Sequence, residues 1–180
     1  YTTQEITKVS NERNIPIQVA YINCKLSRIA DTEYRVIAQL AREFGKNIPP
    51  TGLPTDEVYK LFFQAIDYKK QLIILILDEI DQLVDKTGDN ALYNLTRINE
   101  EQTESQISII GISNNLMFVD SLDPRVRSSL SEEEILFPPY NALQLQAILK
   151  QRTEASFKKD AIEQGVIEKC AAYAARDHGD

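Results

Sequence analysis

A chain of 180 residues has room for one good-sized α/β domain, alone or followed by a small second one. Its apolar share of 43%, with eight Tyr, six Phe and no Trp, suits an ordinary globular core, and no low-complexity tract or short-period repeat argues for a solenoid or a disordered tail. The net charge of −7 argues against a broad basic face that grips nucleic acid unaided, the single His178 against a His-based triad or multi-His metal site, and the isolated Cys24 and Cys170 fit a reducing cytoplasm.

The opening "YTTQEITKVSNERN" is polar and has no apolar segment of the signal-sequence kind. "IQVAYINC" (17–24) follows Pro16, is β-branched and apolar, and reads as a first strand. Helical spacing takes over at Val36, Ile37, Leu40, Ala41 and Phe44, with Asp31 or Thr32 as N-cap. The turn-rich "GKNIPPTGLP" (45–54) leads to a second helix on which Val58, Leu61, Phe62, Ala65 and Ile66 share a face, and Asp56 and Glu57 sit favourably in its first turn. "LIILILD" (72–78) is the second strand; its run from Leu72 to Leu77 is the longest wholly apolar one and far too short to cross a bilayer. A helix from about Asp89 to Asn99 precedes the third strand, "ISIIGIS" (107–113), and "EEILF" (133–137), stopped by Pro138-Pro139, is a weaker fourth. The first three are nearly apolar on both faces, as central strands of a parallel sheet are. Strands alternating with helices predict an α/β fold with a doubly wound parallel sheet. After Tyr140 no strand pattern remains. Asn141 caps a helix whose Leu145, Ile148 and Leu149 share one face, and another runs from about Ala161 to Ala175. The predicted division is an α/β core over 1–140 and the start of an all-helical domain over 141–180.

The apolar strand that runs into Asp78-Glu79 puts two carboxylates at the carboxyl edge of a parallel sheet, where open α/β folds hold their ligands. Asp78 suits a hydrated Mg²⁺, which keeps several waters and takes one or two carboxylates plus phosphate oxygens. Glu79 suits orienting or deprotonating an attacking water. Adjacent strand residues face opposite ways, so both serve one cleft only if the backbone turns beyond the last ladder bond. Taken alone, "DEID" is equally a buried strand meeting a polar loop. The neighbouring strand adds weight: "ISIIGISNN" ends in Ser113, Asn114 and Asn115, and a polar group there can reach a γ-phosphate or the water beside Glu79, although an asparagine also caps short helices. A third piece, "LDPRVRSSL" (122–130), starts a helix with Asp123 at N-cap and Pro124 at N1 and carries Arg125 and Arg127. Arginine suits the charge of a transferring phosphoryl group, from within the subunit or from a neighbour. Elsewhere two arginines on a surface helix are plain solvated residues; here their order after the other two pieces gives them weight.

In that order the pieces resemble the AAA+ ATPase superfamily: Walker B "LIILILDEID", sensor 1 "ISIIGISNN", an arginine-bearing box VII "LDPRVRSSL", then a helical lid. Within it, "VAYINCKL", "TEYRVIAQLA", "IPPTGLPTDEVY", "LDEIDQLV", "GISNNLMFVDSLDPRVRSSL" and "EILFPPYNALQLQAIL" resemble archaeal replication initiators akin to origin recognition complex subunit 1 and cell division control protein 6. The resemblance covers nearly the whole chain. It implies an ATP-dependent, cytoplasmic initiator that binds origin DNA and helps load the replicative helicase, with ATP/ADP and Mg²⁺ as cofactors, other initiator subunits as partners, and no membrane. It implies Asp78 as the Mg²⁺ ligand, Glu79 as the catalytic carboxylate and Asn114 as sensor 1, all three at the nucleotide. Arg125 and Arg127 are the arginine-finger candidates, although in relatives the finger can sit further along, where this chain has Ser128 and Ser129. The helix that relatives press against DNA would fall around 46–60, with Gly52 and Leu53 as DNA contacts.

The chain departs from the family in one respect above all. A phosphate cradle of the type GxxxxGK[ST] should precede the first strand, and none is present. "FGKN" (44–47) has no loop glycine at the required distance, no Ser or Thr after its Lys, and follows a helix. The opening residues read as the back end of the phosphate-loop helix, and "AARDHGD" as the stretch before the lid arginine called sensor 2, with the winged helix further on. The expectation is a fragment of an initiator ATPase that by itself binds nucleotide poorly, because the acidic edge without the loop amides and Lys repels a polyanion. Two other readings stay open: a clamp-loader-like or other AAA+ ATPase, and a non-catalytic module that keeps the fold without the phosphate loop.

Overall fold

A computed structural model describes residues 2–25, 32–49, 51–131, 133–158 and 161–176. Its contacts divide the chain into two compact units, Tyr1–Glu132 and Glu133–Asp180.

The first unit contains α1 (Thr2–Arg13), β1 (Ile17–Asn23), α2 (Glu33–Glu43), α3 (Thr55–Ile66), β2 (Gln71–Asp78), α4 (Ile80–Thr87), α5 (Asn90–Thr96), a 3₁₀ turn (Ile98–Glu100), β3 (Ser105–Ile112), α6 (Phe118–Ser121) and α7 (Pro124–Leu130). The strands form one parallel sheet in the order β1-β2-β3. Asn23 stands opposite Asp78 across β1 and β2, and Asp78 opposite Ile112 across β2 and β3, so the carboxyl ends of all three strands finish level.

Side chains alternate along a strand, and one parity builds the core: Ala20 and Ile22, then Ile73, Leu75 and Leu77, then Ile107. They pack with Val36, Ile37 and Leu40 of α2, Phe62 and Ile66 of α3, Leu83 of α4 and Leu92 and Leu95 of α5. Each of the Val, Leu, Ile and Phe side chains among them contributes about 1.5–3 kcal/mol by leaving water. The other face is more open, with Leu72, Ile110 and Ile112 40%, 40% and 46% exposed. Thr32 caps α2, its side chain accepting from the Arg35 amide; Asp31, the alternative cap, lies outside the described residues. Glu33 then ties three helices together, its Oε1 accepting from the Tyr59 hydroxyl (2.7 Å) and from Asn94 (3.0 Å). At the opposite edge of the sheet from the strand ends, Asp67 anchors the entry to β3. Its carboxylate accepts from the backbone amides of Thr103, Glu104 and Ser105 and from the Thr103 hydroxyl.

The sequence misses α4 altogether and runs one helix through 89–99, where α5 ends at Thr96 and a 3₁₀ turn follows. In the second unit the expected strand over 133–137 is absent. That segment is irregular, and Ile135, Leu136 and Phe137 are 72%, 68% and 85% exposed. A strand needs a ladder partner, and no described strand pairs with this segment. Asn141 does cap a helix, α8 (Ala142–Ser156), in a capping box: its side chain accepts from the Gln144 amide (2.9 Å) while Gln144 accepts from the Asn141 amide (3.0 Å). The last helix, α9 (Val166–Arg176), begins later than expected, after Gly165, whose φ of +87° favours glycine. Gln146 of α8 donates to Glu168 of α9. Among the described residues no helix is long and apolar enough to cross a membrane.

Candidate active site at the carboxyl edge of the sheet

β2 ends at Asp78, and the next residue leaves the strand abruptly. Glu79 has φ 53° and ψ 49°, left-handed backbone that side-chain-bearing residues seldom adopt, and α4 starts directly after it. The turn carries the chain off the alternation of the strand. Both carboxylates then reach the tip of β1: Asp78 Oδ2 accepts from Asn23 Nδ2 (3.1 Å), while Glu79 Oε1 lies 4.0 Å from Lys25 Nζ. The turn that would let adjacent acids serve one edge is therefore present.

Asp78 is held on several sides. Its Oδ2 also accepts from the Tyr21 hydroxyl at 2.5 Å, and its Oδ1 accepts from the Glu79 amide at 3.1 Å. The same contact raises the Tyr21 hydroxyl above its ordinary pKa, chiefly through the hydrogen bond to Asp78 and then through burial. Beside them, Cys24 is fully buried, and burial followed by the charge of Asp78 pushes its thiol up to about 11. It is therefore a neutral core side chain at ordinary pH and no nucleophile.

On the other side, the chain leaving β3 is braced against α4. The Ser113 hydroxyl donates to Asp81 Oδ1 at 2.7 Å and accepts from the Asn115 amide at 2.9 Å. Asn115 uses its side chain to accept from the Met117 amide, and its carbonyl accepts from Phe118, so the helix-start role falls to Asn115. Asn114 stands two residues past the position opposite Asp78. It is exposed and has no hydrogen-bond partner among the described residues, leaving its amide open to a ligand.

Behind this edge, Ile80 is buried in a space that Gly111 provides. A Cβ on Gly111 would lie 2.9 Å from Ile80 Cδ1. A side chain on Gly111 would therefore have to displace the tip of Ile80, the residue that follows Glu79.

The remaining candidates sit elsewhere on the unit. Asp123 caps α7, accepting from the Arg125 amide, and also holds the Arg125 guanidinium through Nε (3.2 Å) and Nη2 (3.3 Å). That pairing lowers the Asp123 carboxyl and raises Arg125. Arg127 pairs with Asp120 at 3.0 Å. Both arginines are largely exposed. Ser129 hydrogen-bonds Thr96, at 2.8 Å. Gly52, with φ +110° and open space beside it, is exposed, whereas Leu53 packs against the core. Tyr21, Asn23, Lys25 and Ser113's brace to Asp81 escape a motif-based reading. The signal for the first two was there in "YIN", two polar groups spaced two apart at the end of an apolar strand.

A parallel α/β sheet whose level strand ends gather acids, an open asparagine and their polar braces is the kind of fold that holds its ligand at the carboxyl edge. The model of the ATPase family associated with various cellular activities (AAA) matches residues 8–139, and the chain belongs to that family. The Cdc6 AAA+ ATPase-type lid domain matches residues 146–180. The whole chain is 54% identical to an ORC1-type DNA replication protein of Pyrococcus abyssi and 53% identical to one of Pyrococcus horikoshii, spanning 43% of the length of each. Among solved structures it is similar to the Aeropyrum pernix ORC1 protein in complex with DNA, with 39% identity and a TM-score of 0.85 over 98% of this chain and 45% of that one.

Proposed function

We propose that this chain forms the metal-and-water side of the ATP site of a DNA replication initiator, with an AAA+ core over 1–140 and part of a lid over 141–180. The observation that carries the proposal is the clamped Asp78 beside a Glu79 turned onto the same edge. The likeness to the ORC1-type proteins supplies the biological setting.

The donor set suits Mg²⁺. Among the described residues no three His, Cys, Asp or Glu side chains come together to hold an ion by themselves. A cation at Asp78 would rest on that carboxylate, on water and on phosphate oxygens, which is how Mg²⁺ is commonly bound. When bound it would neutralise charge on the β- and γ-phosphate oxygens. Asp78 anchors that charge, Glu79 holds and accepts a proton from the attacking water, and the Asn114 amide orients the γ-phosphate or that water. Arg125 and Arg127 reach a phosphoryl group, on this subunit or a neighbour, only by exchanging Asp123 and Asp120 for it; both are exposed enough to do so. Toward DNA, the exposed Gly52 offers its backbone while Leu53 fixes the loop to the core. With a net charge of −7, most of the grip on origin DNA comes from outside this chain. Helicase loading and contacts with other initiator subunits belong to the same proposal, as does a place beside the chromosome in the cytoplasm.

The test uses a full-length protein carrying this chain. Glu79→Gln should retain ATP binding and lose about 100-fold or more in turnover, the range a general base supplies. Asp78→Asn should lose the Mg²⁺ dependence of binding, and footprinting should show protection of origin DNA by the unaltered protein. Wild-type turnover in Glu79→Gln would overturn the assignment of the site; origin DNA left unprotected would overturn the initiator role.

A further inference from the structure

Asp78 is more tightly specified than a lone metal-binding carboxylate needs. An ionised carboxylate offers about four acceptor positions. Tyr21 and Asn23 take both on Oδ2, and the Glu79 amide takes one on Oδ1, so a single Oδ1 position remains open. Tyr21 contributes little to the core: it is 49% exposed, on the more open face of the sheet. A Phe, Val or Ile would satisfy the strand equally well. The hydroxyl is what distinguishes tyrosine here, and its contact is with Asp78.

We propose that Tyr21 is a positioning residue that sets the metal preference of the site: by occupying Oδ2 it holds Asp78 to one-oxygen coordination, which admits Mg²⁺ and disfavours Ca²⁺. This rests on the reading that Asp78 holds the nucleotide's cation. Mg²⁺ demands near-octahedral geometry with short bonds, which a fixed single oxygen supplies, whereas Ca²⁺ accepts larger, flexible shells in which a carboxylate often binds through both oxygens. Freeing Oδ2 therefore removes a constraint that Mg²⁺ uses and that Ca²⁺ is better without. Asn23 cannot replace the hydroxyl: it already fills the second Oδ2 position, and its own Oδ1 is fixed by the Lys25 amide.

The test is Mn²⁺ binding to the ATP-loaded, full-length protein, followed by electron paramagnetic resonance and displaced with Mg²⁺ or Ca²⁺. Corrected for each variant's own Mn²⁺ affinity, Mg²⁺ binding should weaken about tenfold in Tyr21→Phe, the low end of what losing an outer-shell partner of a metal ligand costs. Ca²⁺ binding should change by less than about twofold, so the Mg²⁺/Ca²⁺ ratio falls about five- to tenfold. Tyr21→Leu should give the same ratio if the phenylalanine variant folds poorly. An unchanged ratio in a folded variant, or equal shifts for both ions, overturns the proposal; a lowered melting temperature with the ratio intact would mark Tyr21 as merely structural. Asp78→Asn separates the two levels. If it leaves Mn²⁺ binding untouched, the cation is held elsewhere and both readings fall; if it abolishes binding while Tyr21→Phe keeps the ratio, only the role of Tyr21 falls.

Discussion

Glu79 should be a poor residue for its own backbone, and a pair of substitutions measures by how much. At φ 53° and ψ 49° a Cβ crowds the following carbonyl, which costs about 1–2 kcal/mol. Glycine removes that cost but surrenders about 0.5–1 kcal/mol in unfolded-chain freedom. Comparing Glu79→Gly with Glu79→Ala cancels the lost carboxylate, including its pairing with Lys25. That pairing is worth under about 1 kcal/mol in any case, since it spans 4.0 Å and the lysine side chain is 70% exposed. The glycine variant should therefore be more stable than the alanine variant by about 0.5–1 kcal/mol. For a chain of this size that raises the melting temperature by about 1–4 °C. Thermal and urea unfolding followed by far-ultraviolet circular dichroism provide the assay. Both variants should lose turnover in the full-length protein, so stability and activity part company at this position. An alanine variant as stable as the glycine one would mean that the turn is not left-handed in solution. The account of how two adjacent acids come to share one edge would then fail.

The amide bonds to Asp67 make acid stability another readout. Although burial pushes this carboxyl up, hydrogen bonds from Ser105, Thr103 and Glu104 outweigh it and lower the pKa from 3.8 to about 2. A carboxyl with a depressed folded pKa stabilises fully above its unfolded value and loses that contribution as pH falls through the folded one. Wild type should thus exceed Asp67→Asn in stability at pH 5, with the gap closing between about pH 4 and pH 2 in urea titrations. Gly111→Val should cost about 1–3 kcal/mol through overpacking against Ile80, read as a lower urea midpoint, and should reduce turnover in the full-length protein by shifting the Glu79 turn. Ser113→Ala removes a donor to a carboxylate and should cost about 1.5–3 kcal/mol, with faster hydrogen exchange at the Asn115 amide that loses its acceptor.

The strands were legible because long-range burial writes itself into local composition: "IQVAYIN", "LIILILD" and "ISIIGI" are apolar enough for a sheet interior. They appear within two residues of where the sequence puts them. The fourth strand failed for the converse reason. "EEILF" has strand-like composition, but pairing is a property of two segments, and among the described residues no strand pairs with this one. The helix α4 was hidden by its own sequence. "IDQLVDKT" is short and carries three charged residues, and what fixes it is the burial of Ile80 and Leu83. At the edge, Asp78, Glu79 and Asn114 stood out as chemistry-bearing types at strand ends. The left-handed turn at Glu79 could not, because no glycine or asparagine marks it. Nor could the register that sets Asn23 opposite Asp78, which no single segment encodes.

The four letters 78–81 gain meaning from these contacts. Consecutive residues leaving a strand through a left-handed turn meet different neighbours in succession. Asp78 faces the tip of β1, where Tyr21 and Asn23 fix its carboxylate. Glu79 is carried round by the turn toward Lys25. Ile80 drops into the space beneath Gly111, and Asp81 receives the Ser113 hydroxyl from the segment that bears Asn114. In the proposed site the first two therefore do the chemistry, while the third and fourth hold the turn and the neighbouring strand tip in register with it. An insertion anywhere among them would rotate every later side chain onto the wrong partner. Such a motif can thus be weak as a string and still be strongly constrained as a structure: its short length follows from four adjacent residues each having a separate place to go.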